Sequence, residues 1–302
     1  MGLNVVSAKK VADASSNTLH VGSFNFWSAE ARDWQINTNH RADPIRLWSA
    51  SGILVARMII DSEMDILGCQ ECNYDIRNTL PQMVKNLGGK YKFLWFVCDP
   101  LNPTNSGACG ICYRADRFKI SRSGMFYISQ TPDIKSIGWD EAHHLRVAGW
   151  AEIYDKKTKR SFFMIATHGP LKHKANDSWG PLILEREKMY NTKRLPSILV
   201  GDMNAAPDWK FSKLMRTYYD DAFEAAKKKN PNIIGTFTGA GQDESNFGRW
   251  WRRIDYVYVH ADEPGTYEIE EYKVFTNKYQ LGKHLLFPSD HCPVSARIKF
   301  LK

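Results

Sequence analysis

The chain has 302 residues, 43% of them hydrophobic and 25% charged, which is the balance of a soluble globular protein with one large domain or two small ones. It holds no unbroken apolar run of the roughly 18 residues that a transmembrane helix needs, so that class is excluded. Lysine plus arginine exceed aspartate plus glutamate by 41 to 33, and the resulting +8 favours anionic partners: nucleic acid, phosphoesters or acidic lipid head groups.

Residues 1–18 carry Lys9 and Lys10 but no apolar segment of the signal-peptide kind, and they read as a flexible leader ahead of a single domain over residues 19–302. Residues 19–26 alternate and predict a strand ending at Asn25. Residues 27–48 are polar and aromatic and read as loop. Helical spacing over 45–61 places Ile45, Trp48, Ile53, Leu54, Ile59 and Ile60 on a core face. A buried strand over 65–71 ends in Gln70-Glu71, and a helix over 76–87 is stopped by Gly88-Gly89. Strands follow at 91–98 and 110–114, then a hairpin of 147–154 with 162–167 around Asp155-Lys156-Lys157-Thr158. A helix at 182–191 leads into the apolar run 197–200, which delivers Gly201-Asp202-Met203-Asn204 before Pro207 breaks the strand. A helix with a basic end is expected over 211–228, and strands at 254–259 and 294–300. Strands outnumber helices, and no linker or repeat divides the chain. The pattern predicts one α/β domain with two sheets packed face to face and helices outside.

Six cysteines include two C-x2-C pairs, Cys69/Cys72 and Cys109/Cys112. Such pairs can hold zinc. Both sit in apolar strand-like runs, where cysteine serves as a small hydrophobe, so buried free thiols are the expectation and a reducing, cytoplasmic compartment is favoured. Secretion stays open if a signal has been removed.

Polar side chains recur where apolar runs end or are interrupted: Asn25; Gln70-Glu71; Thr167-His168; Asp202 with Asn204; Arg253-Ile254-Asp255-Tyr256; and Ser289-Asp290-His291. Each alone has an ordinary explanation. Glu71 could be a solvated strand end, His168 a satisfied half-buried histidine, Asp290-His291 a capping turn. Their repetition, always with metal-ligand or acid/base chemistry, is hard to assign to chance.

As a set and in this order, these motifs resemble those of the endonuclease/exonuclease/phosphatase superfamily, from about residue 19 to residue 300. Gly138-Trp139-Asp140 with Arg146 resembles a segment of its bacterial members. The resemblance implies a four-layer α/β sandwich, its two sheets mainly antiparallel, with the site at one rim. It implies a monomeric, Mg²⁺-dependent phosphodiester hydrolase, with Mn²⁺ as a possible substitute. Glu71 would be the main metal carboxylate, helped by Asn25 and Asp290. His291 would be the general base oriented by Asp255, and Asp202 would position water or the metal. Asn204, Arg146 and Tyr113 would contact phosphate. His168 would sit near the phosphate or leaving group, with Asp99 as a candidate to orient it. The chemistry agrees: phosphodiester cleavage by water needs a hard cation, a base for water and donors for the phosphoryl oxygens.

The substrate is less legible. Gly248-Arg249-Trp250-Trp251-Arg252-Arg253 sets aromatics among cations, which suits stacking on bases with phosphate contacts, although the same residues could anchor a loop. A nuclease is the first reading. A phosphoesterase acting on a lipid or small phosphoester is the second, and a non-catalytic phosphate-binding module the third.

Overall fold

The computed structural model describes residues 17–38, 43–102, 107–139 and 145–301. The leader therefore lies, up to Ser16, outside the described residues, as does Asp140. In chain order the strands are β1 (Thr18–Asn25), β2 (Ile66–Gln70), β3 (Tyr91–Phe96), β4 (Cys109–Arg114), β5 (Phe118–Tyr127), β6 (Val147–Asp155), β7 (Arg160–His168), β8 (Ser197–Asp202), β9 (Asp220–Asp221), β10 (Lys228–Lys229), β11 (Asp255–His260), β12 (Tyr267–Val274), β13 (Tyr279–Leu281), β14 (His284–Leu286) and β15 (Val294–Phe300). The helices are α1 (Ala29–Asn37), α2 (Trp48–Asp61), α3 (Tyr74–Asn86), α4 (His173–Tyr190), α5 (Lys210–Met215) and α6 (Ala222–Ala225).

Of the two large sheets one has the order β10-β12-β15-β1-β2-β4-β3 and the other β5-β6-β7-β8-β11-β9, while β13 and β14 pair only with each other. Most neighbours are antiparallel, with β1/β2 and β7/β8 the long parallel pairs. Alternation along β8 shows how the layers form. Ile198 and Val200 enter the core between the sheets, beside Val21, Ile66 and Ile298. Leu199 faces the other way, into a second core with Trp179, Ile183 and Phe211 from α4 and α5. α2 and α3 supply Leu54, Val55, Met58, Ile76 and Leu80 to the main core. The result is a four-layer α/β sandwich. At Gly68 the two sheets approach closely: a Cβ there would lie 2.4 Å from Val200 Cγ2.

Five segments differ from the sequence expectation. Residues 29–37 form α1 rather than loop. Ser28 Oγ caps it by accepting from Ala31 N, but its buried face carries Arg32, so the helical apolar pattern is missing. α4 begins at His173, well before residue 182, and runs through Pro181. The helix expected over 211–228 is broken after α5. Asp221 is buried and pairs with both Nη atoms of Arg253 at 2.9 and 2.8 Å, which draws β9 against β11. β5 and β12 lack a clear strand signal in the sequence, because exposed lysines and half-buried glutamates interrupt their apolar positions. The six cysteines are buried thiols, as expected.

Candidate active site

Strand direction brings the polar ends together. Asn25, Glu71, His168 and Asp202 lie at the C-terminal ends of β1, β2, β7 and β8. Asp255 begins β11, which runs antiparallel to β8, so Asp255 is the cross-strand partner of Asp202. Asp290 and His291 precede β15, which runs antiparallel to β1. All of these positions fall on one rim.

Tight local geometry then aims the side chains. Glu71 and Asn204 have φ of 58° and 46°, left-handed values that cost energy for residues other than glycine and turn the chain sharply off the strand ends. Fully buried Asn25 donates from Nδ2 to Glu71 Oε1 and Asp202 Oδ2, both at 3.1 Å, while its amide oxygen accepts from Trp27 N at 3.0 Å. Ser28 N donates to the other Glu71 oxygen at 2.8 Å. Asp202 Oδ1 accepts from Asn204 N at 2.9 Å, and Asn204 Nδ2 donates to Gly169 O at 3.0 Å.

Two histidines meet at Asp202 Oδ2. His291 Nε2 lies 3.6 Å from it and His168 Nε2 3.2 Å. His291 Nδ1 is held by Asp255 Oδ2 at 2.9 Å, and that oxygen also accepts from Thr236 Oγ1 at 2.6 Å. Arg146 Nη1 donates to His168 Nδ1. A guanidinium has only donors, so Nδ1 must accept and the His168 proton resides on Nε2, facing Asp202.

Burial would by itself lower the pKa of His291; the Asp255 and Asp202 carboxylates overcome it and hold the imidazole well above its ordinary value. Burial would raise Asp202, but the His291 charge and the His168 hydrogen bond keep it well below the usual carboxylate range. Glu71 is likewise held low against its burial, by neighbouring His168 and by the bonds from Ser28 N and Asn25. Asp255 is raised by burial, with Asp202 adding to the effect. Burial together with the Glu71 charge pushes Asp290 up to about 6.

The donor set suits a hard divalent cation. Ligand atoms of Asp202, Asp255 and His291 lie within 4.8 Å of one another, Asp255 Oδ1 is buried without a hydrogen-bond partner, and Glu71 Oε1 and Asp202 Oδ2 share the Asn25 amide. Asn25 turns its amide nitrogen, rather than its oxygen, toward the acids. Metal binding through Asn25 would turn the amide over and give up the Trp27 bond.

Two expectations are corrected. Tyr113 does not join the cluster: β4 is antiparallel to β2, and Tyr113 pairs with Ile66, at the opposite end of β2 from Glu71. Asp99 does not orient His168; it pairs with Lys135 Nζ at 2.7 Å and accepts from Leu101 N in a local turn, while Arg146 and Asp202 hold the imidazole.

The structure also adds residues. Arg32, 1% exposed, donates to the carbonyls of Phe26, Trp27, Arg46 and Pro288 and so ties the Asn25 loop to the Asp290 loop. Thr236 bonds Asp255, and its neighbour Phe237 packs its ring 4.7 Å from that of His291. Asn176 ties α4 to the carbonyls of Pro170 and Asn204. Arg32 and Thr236 carry no motif signal, since each acts through contacts far away in sequence.

A carboxylate-held histidine beside an acidic cluster, at the rim of a four-layer sandwich, is an arrangement suited to phosphoester hydrolysis. The profile of the Endonuclease/Exonuclease/phosphatase family matches residues 22–291, and the chain belongs to that family. An uncharacterized protein, L388, of Acanthamoeba polyphaga mimivirus is 24% identical over 251 residues, covering 79% of this chain and 90% of that one. Among solved structures, an endonuclease/exonuclease/phosphatase family protein of Bacteroides thetaiotaomicron superposes with a TM-score of 0.77 at 25% identity, covering 94% of this chain and 98% of the other. A mannosyl-6-phosphatase of the same bacterium gives 0.78 at 26%, covering 93% and 100%. The human Nocturnin catalytic domain shares the fold, with a TM-score of 0.65 at 18% identity over 94% of this chain and 95% of the other. Among the described residues, no helix is long and apolar enough to cross a membrane.

Proposed function

We propose that this protein hydrolyses phosphodiesters with the help of Mg²⁺, or Mn²⁺ in its place, and that its substrate is a nucleic acid. The observation that carries the reading is the hydrogen bond between Asp255 Oδ2 and His291 Nδ1 at 2.9 Å, which leaves His291 Nε2 facing the cluster. Glu71 and Asp290 are the residues to hold the cation, with Asn25 fixing the Glu71 carboxylate. When bound, the cation polarises the phosphoryl group and stabilises the leaving oxyanion.

The remaining work falls to the chain itself. Once a bound cation offsets the carboxylates that raise its pKa, the neutral His291 imidazole takes the proton of the attacking water at Nε2, and Asp255 stabilises the resulting imidazolium from Nδ1. Asp202 holds both histidines in register. The guanidinium of Arg146, the second amide N–H of Asn204 and the Nε2 proton of His168, shared with Asp202 Oδ2, are the donors for the phosphoryl oxygens. Tyr113 has no part in this reading.

A second reading, hydrolysis of a sugar phosphate or another small or lipid phosphoester, is favoured by the similarity to the mannosyl-6-phosphatase. A purely phosphate-binding module is disfavoured, because the polar set is complete. The test is turnover of single-stranded DNA, duplex DNA, RNA, sphingomyelin, bis-p-nitrophenyl phosphate and mannose 6-phosphate, each with Mg²⁺ and with excess chelator. The proposal expects diester cleavage that the chelator abolishes. Turnover of mannose 6-phosphate without cleavage of any nucleic acid would replace it with the second reading.

A further inference from the structure

The segment preceding Asp255 places large aromatic surfaces in solvent beside the cleft. Trp250 and Trp251 are 42% and 50% exposed, with ring centroids 6.1 Å apart and planes at 86°. The guanidinium of Arg249 lies 5.8 Å from the Trp251 ring, and that of Arg252 lies 5.3 Å from the ring of Phe237. Phe237 in turn packs against His291. Cations and aromatic faces therefore follow one another from the catalytic histidine out to the surface.

This shelf is firmly mounted. Arg252 O accepts from Thr236 N at 2.9 Å and from Phe237 N at 3.2 Å. One residue on, buried Arg253 grips Asp221 through two hydrogen bonds. Pinning at Arg252 and Arg253, immediately after the pair, anchors the segment without covering the exposed rings, and fold stability supplies no reason to expose two tryptophans.

We propose that this shelf is a subsite for single-stranded nucleic acid, with bases stacking on Trp250 and Trp251 and the adjoining phosphates meeting Arg249 and Arg252. Base faces are available in a single strand and hidden in a duplex, so stacking platforms select the former. Charge separates this occupant from a glycan. A neutral sugar chain gives two arginines nothing to pair with, whereas a strand brings one phosphate per nucleotide. Nearby Asp243 is the counter-charge: its carboxyl is held below the usual range, first by Ser245 and then by Arg249 and Arg252. The inference rests on the phosphodiesterase reading for what lies at the end of the strand, but binding at the shelf does not require turnover.

The test uses the full chain and two measurements. Fluorescence anisotropy of labelled (dT)12 in excess chelator reads binding without chemistry. The kcat/KM for (dT)12 divided by that for bis-p-nitrophenyl phosphate, measured in Mg²⁺, reads the subsite during turnover. Trp250→Ala and Trp251→Ala should each weaken (dT)12 binding on the order of 10-fold and lower the kcat/KM ratio, with Trp251→Phe restoring most of the loss. Wild-type binding should weaken between about 50 and about 200 mM salt, as a phosphate-contacting strand requires. Unchanged (dT)12 affinity in both alanine variants, or a wild type that binds a phosphorylated mannan but not (dT)12, overturns the proposal. Loss of all diester turnover with intact, tryptophan-dependent (dT)12 binding would sink the catalytic reading and leave the shelf standing.

Discussion

Asp202 and Asp255 are cross-strand partners in the pairing of β8 with β11, and His291 is held between their carboxylates, 3.6 Å from the first and 2.9 Å from the second. The two acids have different tasks. Asp255 bonds Nδ1 and sets the tautomer, while Asp202 shares its oxygen with His168 and Asn25.

His291→Ala should lower kcat on the order of 10²–10⁴-fold, the usual worth of a positioned base. Asp255→Asn should cost nearly as much. The double variant should be little worse than either alone, because the pair acts as a unit. A double-mutant cycle of single-turnover rates checks this. Independent multiplication of the two losses would falsify the pairing and move the base to His168.

Glu71→Gln should raise the Mg²⁺ concentration needed for half-maximal rate, with a smaller effect on substrate affinity. Calorimetric titration of Mg²⁺ into the wild type and the variant measures the difference directly. Equal Mg²⁺ affinity in the two proteins counts against Glu71 as a ligand.

The raised His291 pKa makes a statement about stability. A histidine whose folded pKa exceeds its unfolded value of about 6.5 stabilises the fold fully below that value. The contribution is lost as pH rises through the folded pKa. In chelator, the melting temperature of the wild type should therefore fall as pH is raised above about 6.5, and His291→Gln should lack that part of the slope. Parallel melting curves across this range would contradict the charged arrangement.

Arg146→Lys should reduce kcat more than it raises KM. An ammonium group lacks the planar fork that reaches both His168 Nδ1 and a phosphoryl oxygen. ¹⁵N NMR of the imidazoles supplies a second readout: His168 should be the Nε2–H tautomer in the wild type and a mixture in the variant. A wild-type His168 protonated on Nδ1 would refute the donor assignment.

Gly68→Ala should destabilise the fold by about 1–3 kcal/mol, the range for overpacking a well-filled core, since its Cβ would press on Val200 across the two sheets. Chemical denaturation measures this, and wild-type stability in the variant would show that the sheets can part at that point.

Strand ends were legible in the chain alone because β-periodicity is local. The apolar run before Asp202 and the alternation before Asn25 each announce a strand and its polar terminus within a few residues. Most of the candidate residues stand at those ends, Arg146, Tyr113 and Asp99 being the exceptions, and the pattern of elements also gives the layered α/β architecture. Pairing direction is a different kind of property. That Tyr113 falls at the wrong end of its strand depends on β4 running antiparallel to β2, and nothing within residues 109–114 encodes it. The partner of His168 is likewise set at long range: Asp99 has the right chemistry, but the packing gives it to Lys135 and gives His168 to Arg146 and Asp202. α1 has no apolar signal in the sequence because its buried face carries Arg32, whose polarity hides the helix until the carbonyls it satisfies are in place. Local pattern names the elements and the chemistry at their ends; which ends meet, and which charges compensate one another, is set by long-range pairing and burial.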